Sequence, residues 1–315
     1  MAQWPNFFVA GAPRCGTSTL HAWLPAIPGV FMSRIKEPNY FSRSVIGESH
    51  PMVKPIRDRR AYLQLFTAAG DAKAVGEATP FYLQDPEAPA RIKKQSPDAR
   101  VLVSLRDPVE RLYSHYLMMR NNLPSMGSFM EEIERGLALG GRRNLAFLDP
   151  SAGRYSAQIA RFRREFGRAN FRVLILEEWS RDPAGTLREI SEFLGLAPFS
   201  GEVPGPPQRR FAEARGPFVR FLFGNRKLSR AAEALLPYGL RKAVRNAVLV
   251  RKVPRPEMDP AARRFLVDYY REDVARTEWL LGRRLPWANF RDFAGSDDGA
   301  QAADRDASIN FAASG

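Results

Sequence analysis

Asn6-Phe7-Phe8-Val9-Ala10-Gly11-Ala12-Pro13-Arg14-Cys15-Gly16-Thr17-Ser18-Thr19-Leu20 decides the fold. Asn6 to Ala10 is an unbroken short apolar run, as expected of a buried strand, and Thr17 to Leu24 sets Leu20, Trp23 and Leu24 on one helical face. Between them Gly11 and Gly16 hold the G-x-x-x-x-G spacing of a phosphate-binding loop. Glycines there let backbone N–H groups approach an anion, and the helix start adds its dipole. A Walker loop places Lys after the second glycine, where this chain has Thr17; the positive charge lies inside the loop, at Arg14. Thr17, Ser18 and Thr19 add hydroxyl donors. A P-loop nucleotide-dependent kinase is the rival enzyme reading, needing Mg²⁺ and the absent Lys, and a non-catalytic nucleotide-binding module is another.

Outward from this stretch the chain alternates strands and helices. Val75 to Ala78 is a second strand. Val101 to Leu105 is a third, apolar enough to be buried on both faces, and it runs through Arg106-Asp107-Pro108 into a helix that Pro108 opens. A helix from Tyr155 to Phe166, a fourth strand from Arg172 to Leu176, a helix at Thr186 to Leu194 behind Pro183, and a last helix from Pro260 to Leu281 complete the series. The expected class is α/β, a three-layer α/β/α arrangement around a mostly parallel sheet. Residues 1–293 read as one domain and 294–315, rich in Ala, Gly, Ser and Asp, as a disordered tail.

Of 315 residues one is Cys and three are His, so a disulfide framework is excluded and no metal is expected. The N-terminus lacks the basic region of a signal peptide, and no apolar run approaches the roughly 20 residues of a membrane span, so the expected location is cytoplasmic. The formal charge of +14 is local: Gln208 to Arg255 holds thirteen Lys and Arg against two Glu. This segment has three candidate roles, namely completing an anionic cofactor's site, docking on an anionic membrane through Phe218, Phe221, Leu222 and Phe223, or forming a solvated helical face. Nucleic acid is not an expected partner, because no zinc finger, RNP motif or heptad accompanies the basic residues.

Pro13-Arg14-Cys15-Gly16-Thr17-Ser18-Thr19-Leu20 resembles the 5′-phosphosulfate loop of the sulfotransferases that use 3′-phosphoadenylyl sulfate (PAPS). Val101 to Ser114 is similar to that family's 3′-phosphate motif, an Arg ending a strand and a Ser eight residues on: here Arg106 and Ser114. Gly76-Glu77-Ala78-Thr79-Pro80-Phe81-Tyr82 and Lys36-Glu37-Pro38-Asn39-Tyr40-Phe41 resemble blocks of the heparan-sulfate type and its bacterial relatives, as does Gly153 through Leu196. The likeness runs from about Pro5 to Phe290. Arg14 stands where Lys is commoner, keeping the charge with a different geometry.

The resemblance implies PAPS as co-substrate and a hydroxyl or amine acceptor on a carbohydrate, lipid or small metabolite. It implies cofactor contacts from Arg14, Cys15, Gly16, Thr17, Ser18, Thr19, Arg106 and Ser114, and from a late basic segment with Arg251, Lys252 and Arg255 as candidates. Sulfuryl transfer is a loose in-line displacement governed by positioning and charge stabilisation. Glu77 is the expected general base; a Glu–Arg ion pair is its structural alternative, and His50 and His115 are alternative bases. Arg14 is expected to balance charge on the leaving phosphate and Lys36 to orient acceptor or sulfuryl oxygens. Residues 42–60 and 121–154 are expected to shape the acceptor pocket.

Overall fold

The computed structural model describes residues 3–45, 55–122, 126–139, 148–205, 212–214, 250–252 and 255–293. Its centre is a five-stranded sheet in the order β2 (Val30–Met32), β3 (Ala74–Ala78), β1 (Phe7–Gly11), β4 (Arg100–Leu105), β5 (Phe171–Ile175). Every neighbouring pair is parallel. A parallel sheet needs covered faces, and the alternation along each strand provides two cores. Phe8, Val75, Val101 and Val103 face one, while Phe7, Val9, Ala74 and Leu102 face the other.

The first core is closed by α4 (Pro108–Asn122), α6 (Ser156–Phe166) and α9 (Pro260–Leu281), and the second by α1 (Thr17–Trp23) and α8 (Pro183–Phe193). The three-layer α/β/α fold is therefore present. α2 (Arg59–Gln64), α3 (Ala88–Gln95), α5 (Phe129–Ala138) and the short α7 (Leu176–Trp179) complete the helices on which the site depends. Two further strands, β6 (Ala212–Ala214) and β7 (Val250–Lys252), pair antiparallel and bracket most of the basic stretch.

Most expected elements sit within a residue of their reading. Three differ. β2 adds a strand at the sheet edge that three residues are too short to announce. The strand read at Arg172 to Leu176 ends at Ile175, because Leu176 opens α7. α5 was absent from the reading although Ser128 and Glu131 form a capping box at its start.

The order 2-3-1-4-5 reverses direction at β1, with β3 on one side and β4 on the other. In open α/β sheets the crevice at such a switch point, beyond the strands' carboxyl ends, is where ligands bind. The Gly11–Gly16 loop and Arg106 both emerge there.

Candidate active site

The loop after β1 is fastened from β4. Ala12 N–H donates to Ser104 O at 2.7 Å, Ser104 Oγ donates to Cys15 O at 2.6 Å, and Trp179 Nε1 donates to Ser104 Oγ at 2.9 Å. Ser104 is the one polar residue in an otherwise apolar strand end, and this is its use. Gly16 sits at φ 80°, and a Cβ there would lie 2.3 Å from the Trp179 ring. Gly16→Ala is therefore expected to destabilise the chain by about 1–3 kcal/mol through overpacking alone, read as a lower urea midpoint at unchanged slope.

The first N–H groups of a helix have no carbonyl within it to bond, so those at Gly16, Thr17 and Ser18 are the loop's offer to an anion. Thr17 is buried, and Ser18 and Thr19 are half-buried. Cys15 joins the loop through its backbone: its thiol is buried, 3.9 Å from Tyr155 Oη, and burial pushes its pKa up to about 11.

Arg14, at φ 70° in the left-handed region, crosses to α4. Its Nε and Nη2 donate to Ser114 Oγ at 3.2 and 3.1 Å, and Nη1 lies 3.3 Å from Met118 Sδ. The two separate motifs, 100 residues apart, thus meet through a direct contact. Arg106 follows the last residue of β4 and lies 3.8 Å from Glu110 Oε2, the ion pair open to it as an i,i+4 neighbour. Beneath the loop Arg111 is wholly buried near Cys15, Tyr155 and Tyr270, a cation that opposes the rise burial imposes on Cys15 and adds to the lowering burial imposes on His115.

Glu77 points from β3 into the first core and has no solvent exposure. Tyr62 Oη and Tyr82 Oη donate to its Oε1 at 2.9 and 2.5 Å, and Thr79 Oγ1 donates to Oε2 at 2.6 Å. Its hydrogen-bond partners are hydroxyls, and no Arg pairs with it among the described residues. A carboxylate has about four acceptor sites, so three donors leave one, on Oε2. Burial raises its pKa to about 7 against the opposing pull of the three hydroxyls and Lys36. Lys36 forms an ion pair with Glu37, the neighbour whose N–H joins Ala78 O at the end of β3.

His115, on α4 beside Ser114, is unsuited to the base role: burial, then Arg111 and Arg14, drive its pKa down to about 3. His50 lies outside the described residues. So does most of the basic stretch, including Phe218, Phe221, Leu222 and Phe223; Arg251 and Lys252 are described in backbone only. Arg255 is placed, donating to Glu110 Oε2 at 2.7 Å with its guanidinium 4.9 Å over the Tyr113 ring.

His115 lines a cavity of about 340 Å³, together with Phe81, Arg154, Gln158, Arg161 and Arg276 among others. Buried His115 Nδ1 and Gln158 Oε1 meet no hydrogen-bond partner there. Val45, Asp149, Ser151, Ala152 and Arg154 belong to its wall, joined by residues of α6 and α9, which sequence reasoning did not implicate. Tyr62 was likewise missed, since nothing local ties α2 to Glu77.

A family model described as the sulfotransferase domain matches residues 5–205. Carbohydrate sulfotransferase 15 of Homo sapiens is 29% identical over 255 residues, covering 62% of this chain and 44% of that protein. Heparan sulfate glucosamine 3-O-sulfotransferase 3A1 of Mus musculus is 30% identical over 199 residues, covering 62% of this chain and 46% of that protein. The chain thus spans less than half the length of these curated relatives. A solved sulfotransferase from Alicyclobacillus acidocaldarius superposes with a TM-score of 0.68 at 28% identity, over 90% of this chain and 97% of that one. No helix among the described residues is long and apolar enough to cross a membrane.

Proposed function

The chain belongs to the sulfotransferase domain family, and on that premise we propose that it transfers a sulfuryl group from PAPS to a hydroxyl or amine. PAPS supplies the sulfuryl group and a phosphate that leaves it. The observation that carries the reading is the contact between Arg14 and Ser114, which joins the loop suited to a 5′-phosphosulfate with the strand-to-helix turn suited to a 3′-phosphate.

Glu77 Oε2 takes the acceptor's proton through its one remaining acceptor site as the acceptor oxygen or nitrogen bonds to sulfur. Arg14 and the N–H groups of Gly16, Thr17 and Ser18 stabilise charge on the phosphate as its bond to sulfur breaks. Lys36, close enough to influence Glu77, orients sulfuryl or acceptor oxygens. Arg106 and Ser114 hold the 3′-phosphate.

The acceptor occupies the cavity beside His115, whose unpartnered Nδ1 and the Gln158 Oε1 favour a ligand rich in hydroxyl or amine groups. A carbohydrate, the class in the relatives' names, has that chemistry.

A base must be deprotonated to work, so with Glu77 near 7 the transfer rate is expected to climb as pH rises through about 7 and then level. A rate flat between pH 5 and 9 removes Glu77 from the base role. The reading itself is tested by incubating the protein with radiolabelled PAPS and a panel of oligosaccharides, alcohols and amines. Label transferred to a carbohydrate supports it, and label transferred to none of the panel, at concentrations where PAPS binds, contradicts it.

A further inference from the structure

Glu110, one turn into α4, gathers guanidiniums from three separate parts of the chain. Arg106 approaches from the end of β4 at 3.8 Å, Arg255 from the segment after β7 at 2.7 Å, and Arg263 from the first turn of α9 at 2.9 Å. Burial pushes the Glu110 carboxyl up, but Arg255 and Arg263 outweigh it and hold the group below its usual range. One carboxylate among three guanidiniums leaves a surplus of two positive charges.

The cluster is fixed from both sides. Arg263 also donates to Asn289 Oδ1 at 2.7 Å, and Asn289 Nδ2 donates to Asp107 Oδ2 at 2.8 Å. Tyr113 Oη donates to Pro256 O and Glu257 O at 3.1 and 2.8 Å, fastening the chain around Arg255 to α4. Glu110, Ser114 and Met118 recur every four residues and so share one face of α4. Arg14 meets that face at Ser114 and Met118, about 6 Å of helix axis from Glu110. Two cationic positions therefore stand a turn apart along a single helix face.

We propose that Arg263 is a third cation of the nucleotide's 3′-phosphate site, and that Glu110 is the positioning residue that keeps Arg106, Arg255 and Arg263 together until the phosphate arrives. This rests on the PAPS reading above. A phosphate monoester carries close to two negative charges at neutral pH, matching the surplus, and guanidinium forks bind phosphate oxygens in pairs. Without the carboxylate, three like charges repel and separate, and the site loses its alignment. A nucleotide bearing only a 5′-phosphate has no group to place there.

The test is isothermal titration of the full chain with 3′-phosphoadenosine 5′-phosphate (PAP) and with AMP. Arg263→Ala is expected to weaken PAP about ten-fold or more, as loss of one charge-assisted contact does, and to leave AMP unchanged. Glu110→Gln is expected to reduce the PAP-to-AMP ratio similarly, whereas a merely structural role for Glu110 lowers both affinities together. Arg264→Ala, an exposed neighbour, controls for bulk charge and is expected to keep the wild-type ratio. An unchanged ratio in Arg263→Ala overturns the proposal. So does tighter PAP binding by Glu110→Gln, which makes the carboxylate a competitor of the phosphate. Wild-type protein that binds PAP no better than AMP instead removes the 3′-phosphate site and the PAPS reading with it.

Discussion

Glu77→Gln is expected to cut sulfuryl transfer by roughly 10² to 10⁴-fold, the span of a lost general base, with PAP binding retained. The amide has the carboxylate's shape, and its oxygen still accepts from Tyr62 and Tyr82. Thr79 Oγ1, now 2.6 Å from Oε2, can turn to accept from the new NH₂, so the buried hydrogen bonds have replacements. What disappears is an acceptor able to take a proton. Initial rates with labelled PAPS, beside calorimetry with PAP, separate the two effects. Full transfer by the glutamine variant would leave Glu77 a buried structural acid.

Arg14→Ala is the second large effect. One donor aimed at developing charge is worth about 10² to 10³ in kcat, and Arg14 supplies the loop's own guanidinium. The variant also strips two donors from Ser114 Oγ, so the contact between loop and α4 is lost. Loss in kcat with a smaller change in the KM for PAPS is the signature of an interaction made chiefly in the transition state. Arg14→Lys is expected to recover most of the rate, since an ammonium retains the charge while giving up the fork. Equal loss in both variants would assign Arg14 to loop shape, and an unimpaired alanine variant would remove it from the chemistry.

The part of the fold that carries the site was legible because its signals are local. Phe7 to Ala10 has no polar interruption, Gly11 and Gly16 punctuate the loop, and Val101 to Leu105 ends at an arginine before a helix-opening proline. Buried parallel strands announce themselves in this way. Features made by distant residues were not legible. Tyr62 reaches Glu77 from α2, Trp179 packs on Gly16 from α7, and Arg263 meets Glu110 from 153 residues away. Glu110 alone reads as an ordinary first-turn acid of a helix.

The excess charge is placed only in part. Among the described residues the cations that meet α4 at Glu110 and Ser114 are Arg14, Arg106, Arg255 and Arg263, and most of 208–255 lies outside the described residues. Position on the sheet edge, more than abundance, makes an arginine a candidate ligand.

Calorimetric titration of the wild-type chain with PAP, AMP and ATP in the presence of chelator tests the central claim most directly. The account requires PAP to bind far more tightly than AMP, by about 100-fold for a phosphate held by several charge-assisted contacts, and ATP to gain nothing from its extra phosphates. Equal affinities for PAP and AMP, or a clear preference for ATP, would contradict it.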